Sequence, residues 1–199
     1  MPTLKPFRDY DEKDVINLYT LSGAPVDTTY QILATKGTLV KVVGDGFRID
    51  NEPIEMLGNY GQFNVNNFVA QRYGVTSKVA VAQPTDAPVG MLLFDVRELD
   101  ENLIPLKYNP RKAAEMEVVL SGQAVPIVTR GTFLYSGVRV SGSVAVTAGG
   151  KAYLGYNGEI ATSGVTVIGK FLGQTGVAGT GLYNGSDLSA TALVWLNIQ

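Results

Sequence analysis

The stretch GGKAYLGYNGEIAT, residues 149–162, decides the fold. At its centre stands Asn157-Gly158. This dipeptide tolerates the positive φ that a two-residue hairpin turn requires. Residues 151–155 before it and 159–161 after it are short and β-prone. A hairpin is therefore expected here, with Lys151, Ala152, Tyr153 and Leu154 in one strand and Ile160 and Ala161 in the other.

The same grammar extends in both directions. Residues 165–172 and the alternating run ATALVWLNI at 190–198 read as strands. Residues 183–185 (YNG) read as a turn, and 173–181 (GQTGVAGTG) as a loop. Upstream, 125–129 and 132–135 flank Arg130-Gly131, and 138–146 alternates loosely with Ser and Gly. Further strands are expected over 30–34, 39–43, 78–82 and 89–96, with an Asp45-Gly46 turn after the second. Glycine is frequent, 23 of 199 residues, and it falls between β-prone runs as punctuation. That pattern marks a sandwich or barrel. One helix stands out. Asn109 is placed to cap it, Pro110 suits its first position, and Ala113, Ala114 and Glu115 continue it. Residues 11–21 leave a short helix open, although their apolar spacing is not clean. Residues 51–74 are Asn- and Gly-rich and read as an irregular excursion. The expected fold is mostly β: a small β-barrel or sandwich with one short helix and an extended N-terminal arm. Three segments follow, an arm over 1–25, an irregular β-containing region over 26–76 and a barrel-like body over 77–199.

Composition removes whole mechanisms. The chain has no Cys and no His. A Cys nucleophile, a Ser-His-Asp triad and the usual soft-metal ligands are therefore excluded. Charged residues are 17% of the chain and the net charge is −2, with no basic stripe, so nucleic acid is not an expected partner. No apolar run reaches membrane-spanning length, and residues 1–10 lack the apolar core of a leader.

The remaining chemistry is diffuse. Gly173 to Gly181 lacks the Lys-Ser/Thr ending and the following helix of a phosphate loop. Asp9, Asp11, Glu12 and Asp14 cluster in sequence, as do Asp95, Glu98, Asp100 and Glu101, but without the spacing of a calcium loop. These read as solvated acidic stretches, with 97–102 charged and exposed. No carboxylate pair is singled out for glycoside hydrolysis, and no motif supports Ser136 with Lys151 as a dyad. Tyr153, Tyr156, Tyr183 and Trp195 suit packing better than sugar stacking. No cofactor is expected, no metal site, and no enzymatic activity.

The N-terminus carries the functional expectation. Pro2 and Pro6 keep it extended, and Leu4, Phe7 and Tyr10 show no evident core partner in the sequence. The runs APVGMLLFDVRE (87–98), YNPRKAAEM (108–116) and SGQAVPIVTRG (121–131), in this order, resemble head decoration (cement) proteins of tailed bacteriophages. The opening MPTLKPFRDYDEKDVINLYTL (1–21) and the 149–162 hairpin are similar to segments of such virion proteins. The resemblance implies a structural, non-enzymatic protein on the outer capsid surface of a virion. It implies binding to the major capsid protein and self-association, commonly as a homotrimer. It also implies a shell contact through the arm, at Leu4, Lys5, Pro6, Phe7, Arg8 and Tyr10. The alternative is a virion fibre or glycan- and receptor-binding surface protein that uses the Tyr-bearing loops.

Overall fold

The hairpin forms where the sequence places it. In the computed structural model, which describes residues 3–21, 25–43, 77–120, 122–140, 146–174 and 189–198, β11 (Lys151–Leu154) pairs antiparallel with β12 (Ile160–Ala161). Asn157 and Gly158 have φ of 54° and 69°, the left-handed values that favour Asn and Gly. Gly158 has a second reason to lack a side chain. A Cβ there would lie 2.5 Å from the Leu39 carbonyl oxygen, so the tip is pressed onto a different part of the molecule.

That part is a closed five-stranded barrel. Its strands, in order around the ring, are β2 (Val15–Leu21), β5 (Ser77–Val81), β4 (Leu39–Val43), β6 (Gly90–Leu92) and β9 (Ala124–Val128). All neighbours are antiparallel except β2 and β5, which are parallel. The barrel takes strands from all three expected segments. Among the described residues, β2, β4 and the strands β5, β6 and β9 are thus interleaved in one ring.

A second sheet adds β1 (Thr3–Asp9), β10 (Arg130–Arg139), β13 (Val167–Gln174) and β14 (Ser189–Asn197) to the hairpin, in the order β1-β10-β12-β11-β13-β14. β10 pairs with β14 from Arg130↔Asn197 to Arg139↔Ser189. Its other edge takes β1 and, at Arg139↔Ala161, β12. The sheet therefore curls until it returns to β10 and closes as a second ring. A three-stranded sheet of β3 (Ile32–Ala34), β7 (Asp95–Arg97) and β8 (Val118–Val119) flanks the first barrel. The helix α1 (Pro110–Glu115) is capped by Asn109, whose side chain accepts from the Lys112 amide at 3.3 Å.

Two expectations change. Residues 11–21 form a 3-10 turn, Glu12–Asp14, followed by strand β2. β2 carries β-branched Val15, Ile16 and Thr20 and gains two cross-strand partners, which outweigh a weak helical period. One extra residue lies in its register between Ile16 and Tyr19. This bulge explains why the apolar spacing looked irregular. The expected strand over 89–96 divides into β6 and β7, because the chain leaves the barrel at Leu93-Phe94 and enters the flanking sheet. The expected features at 44–46, 51–74 and 183–185, and most of 173–181, lie outside the described residues.

The main core joins both rings. Leu39, Met91, Leu93 and Val128 of the first pack with Leu4, Phe133, Tyr135, Leu154, Ile168, Phe171, Val194 and Leu196 of the second. A smaller core, including Val40, Val79, Leu92, Val96, Val125 and Ile127, takes side chains from all five strands of the first barrel and from its flanking sheet.

Candidate functional site

β1 brings the expected contact residues into the structure, and it is not a free arm. Leu4 is 3% exposed within the main core. Its expected place on a partner surface is corrected by this burial: β1 docks on β10, and the core takes Leu4. Lys5 is half-buried. The backbone of Pro6 and Phe7 lies in β1, where the register slips. Leu4 faces Tyr135 and Arg8 faces Phe133, so two extra residues are accommodated between them. Proline suits such a place, because it has no N–H to give to a ladder.

Arg8 is tied inward. Its guanidinium donates to both Glu117 carboxylate oxygens, at 3.3 and 2.7 Å. Lys36 donates to the same Glu117 at 2.9 Å, and the Lys36 amide donates to the Asp95 carboxylate at 2.6 Å. Two cations and two carboxylates thus join β1, the β3–β4 turn, β7 and the turn after α1. Glu117 adopts φ of 54°, a left-handed conformation uncommon for a residue with a side chain. The Arg8 hydrogen bonds, aided by Lys36, hold its carboxyl below the ordinary range despite partial burial. Leu4, Arg8, Lys36 and Glu117 line an open hollow of about 300 Å³. The balance of charge makes this node a brace.

Tyr10 is 37% exposed and stacks on Phe133, with ring centroids 5.9 Å apart. With Glu12, Val15, Leu93, Phe94 and Pro126 it lines a second, mainly apolar hollow of about 320 Å³. The chain beside it is net acidic, since Asp9, Asp11 and Glu12 are exposed there with the single cation Lys13.

A third feature escaped sequence reasoning. Asp100, expected to be exposed and solvated, is 1% exposed. Its carboxylate accepts from the Asn102 and Ile104 amides, both at 2.8 Å, and from Lys112 of α1. Lys112 and these amides hold the Asp100 carboxyl below its ordinary range. The loop it closes carries Leu103 and Ile104, each 54% exposed, and leads to Tyr108 at 77%. Lys107 lies over the Tyr108 ring, 4.9 Å from its centroid. Leu103 has φ of 60°, strain that the bonds around it hold in place. We call this loop the knuckle. Its sequence signal was the pair Leu103-Ile104 inside an otherwise polar run.

The pairings that have no support in the sequence are not assembled either. Ser136 accepts from the Thr191 hydroxyl at 3.3 Å, and it sits on β10, which β12 separates from Lys151 on β11. Tyr156 is on the β11–β12 tip with Arg139 over its ring, whereas Trp195 is on β14 opposite Lys170. Tyr183 lies outside the described residues. Among the described residues, no group of three or more acidic side chains could hold a metal ion, and no helix is long and apolar enough to cross a membrane.

The chain matches no family model, no curated protein and no solved structure.

Proposed function

We propose that this protein is a structural, non-catalytic virion component. On this reading it binds the outer surface of a phage capsid, bridges major capsid protein subunits and self-associates, as a homotrimer. The observation that carries a protein-binding role is exposed apolar surface on braced backbone: Tyr10 beside an apolar hollow, and Leu103, Ile104 and Tyr108 on a loop closed by a buried carboxylate. Contiguous apolar exposure of this kind marks interaction surfaces. The sequence resemblance supplies the capsid as the partner. Many copies, each with weak contacts to two subunits, stabilise a shell because the second contact is intramolecular once the first has formed.

The burial of Leu4 and the bracing of Arg8 leave Lys5, Pro6, Phe7 and Tyr10 as the proposed shell contact. The test follows from that. Removing residues 1–10 would strip Leu4 from the core and report on folding. Replacing Lys5, Pro6 and Phe7 by serine leaves Leu4 and Arg8 in place. We expect the intact protein to co-sediment saturably with expanded, undecorated capsids, and the triple variant to lose most of that binding with its folding intact. Intact protein that stays in the supernatant would remove the capsid reading. Saturable binding to glycans instead would favour the surface-receptor alternative.

A further inference from the structure

The knuckle and the apolar hollow are counterparts. One is convex, apolar and rigid, and the other is concave and mainly apolar. They sit at opposite ends of β7. The chain leaves the hollow at Leu93-Phe94, runs through Asp95–Arg97 and reaches the base of the knuckle at Glu98. There the Leu106 amide donates to the Glu98 carbonyl at 3.0 Å, and Leu99 bridges to Pro105. Asp100 and Lys112 fix the loop in this position. A knuckle so braced cannot fold back onto the hollow of its own chain.

We propose that the knuckle of one copy, Leu103 with Ile104, inserts into the Tyr10–Val15–Phe94–Pro126 hollow of a second copy. This gives residues to the self-association in the reading above and rests on it only to that extent. Size fits, since about 320 Å³ is room for two aliphatic side chains. Charge fits too. Exposed Asp9, Asp11 and Glu12, offset by one exposed cation at Lys13, leave the chain beside the hollow net acidic, and on the knuckle exposed Lys107 is available to meet it, whereas exposed Glu101 is already paired with Lys112 of its own chain. Because donor and acceptor surfaces differ, the contact is head to tail. An open chain of copies retains one free knuckle and one free hollow, at its two ends, until a ring closes. Pre-organisation favours it further, since a loop already held in one conformation loses little entropy on docking.

The test is sedimentation velocity on the free protein across a concentration series. Leu103→Asn with Ile104→Ser removes the knuckle's apolar tip, and Asn tolerates the left-handed backbone at 103. Val15→Asp puts a carboxylate in the hollow. Glu12→Lys, at an exposed position, reverses one rim charge and serves if Val15→Asp fails to fold. We expect concentration-dependent association of the unaltered protein. The knuckle variant should associate at least about tenfold more weakly, as for loss of a central apolar contact, with an unchanged melting temperature. The knuckle variant still has a hollow and the hollow variant still has a knuckle. Mixed together, they should form one-to-one dimers that neither forms alone. A protein that stays monomeric throughout would overturn the proposal. So would a knuckle variant that associates as tightly as the original, or folded variants that fail to complement. No capsid enters this experiment, so its failure leaves the shell contact standing, and loss of shell binding leaves this contact standing.

Discussion

Glu117 holds β1 through Arg8 and holds the β3–β4 turn through Lys36. Its carboxyl pKa is lower in the folded protein than in the unfolded chain. It therefore adds stability above the ordinary carboxylate range, and that contribution is lost as pH falls through the depressed folded value. Glu117→Gln should destabilise the protein at neutral pH by about 1–2 kcal/mol, a discounted figure because the side chain is more than a third exposed. The gap between original and variant should shrink as urea midpoints are followed from neutral into acid. A gap that stays constant with pH would mean that Glu117 acts through its backbone geometry and not its charge. Gly169 tests packing instead of charge. It lies in β13 between Ala152 and Leu196, and a Cβ on it would stand 2.1 Å from the Trp195 carbonyl oxygen. Gly169→Ala should cost about 3 kcal/mol by forcing β13 and β14 apart, measurable as a lowered urea midpoint. Neither residue was singled out in the sequence. Glu117 stands between Met116 and Val118 with no local signal of its own and gains its meaning only from Arg8, 109 positions away. Gly169 looks like any strand glycine until β14 is laid beside it.

Elements were legible where their signals are local. The Asn157-Gly158 hairpin, the Asn109-Pro110 helix start and strand β4 need only neighbouring residues to be read. Elements were misread where the outcome depends on a distant partner. β2 is a strand because β5 and β9 flank it. β1 is a sheet member because β10 takes its backbone and the core takes Leu4. The knuckle is the sharpest case. A run that looks charged and solvated becomes a closed loop because Lys112, on the following helix, neutralises a carboxylate inside it. Removing that carboxylate should open the loop and leave the helix intact, since α1 has its own cap in Asn109. In Asp100→Ala, amide exchange at Asn102 and Ile104 should rise roughly tenfold or more, with exchange in β4 and β14 unaltered. Unchanged protection at Asn102 and Ile104 would show that the loop is held by its backbone bonds alone.

At the scale of the whole molecule, the question is whether two rings make one folding unit. The contacts favour one. The main core takes side chains from both, the Gly158 amide of the hairpin donates to the Ala82 carbonyl at 2.9 Å, and the Ile198 amide donates to the Thr129 carbonyl at 3.0 Å. The chain also weaves between them, entering through β1 in the second sheet, building the first barrel and returning at Arg130. Long-range pairing of this sort joins the two rings in a single cooperative transition. The single tryptophan makes this testable, because Trp195 lies on β14 and reports only the second sheet. Ile127 lies fully buried in the smaller core, which takes no side chain from Trp195's sheet. Ile127→Ala should cost about 3 kcal/mol. If the rings unfold together, the Trp195 fluorescence transition should shift by the full amount and coincide with loss of far-ultraviolet ellipticity. If Trp195 keeps its original midpoint while ellipticity falls in two steps, the rings are independent. The shared core would then be an interface between two units, and a clamp built from them would flex at that interface. Coincident transitions would mean that strain applied at the knuckle or at β1 is borne by the entire body, which is what the proposed bridging of neighbouring subunits would require.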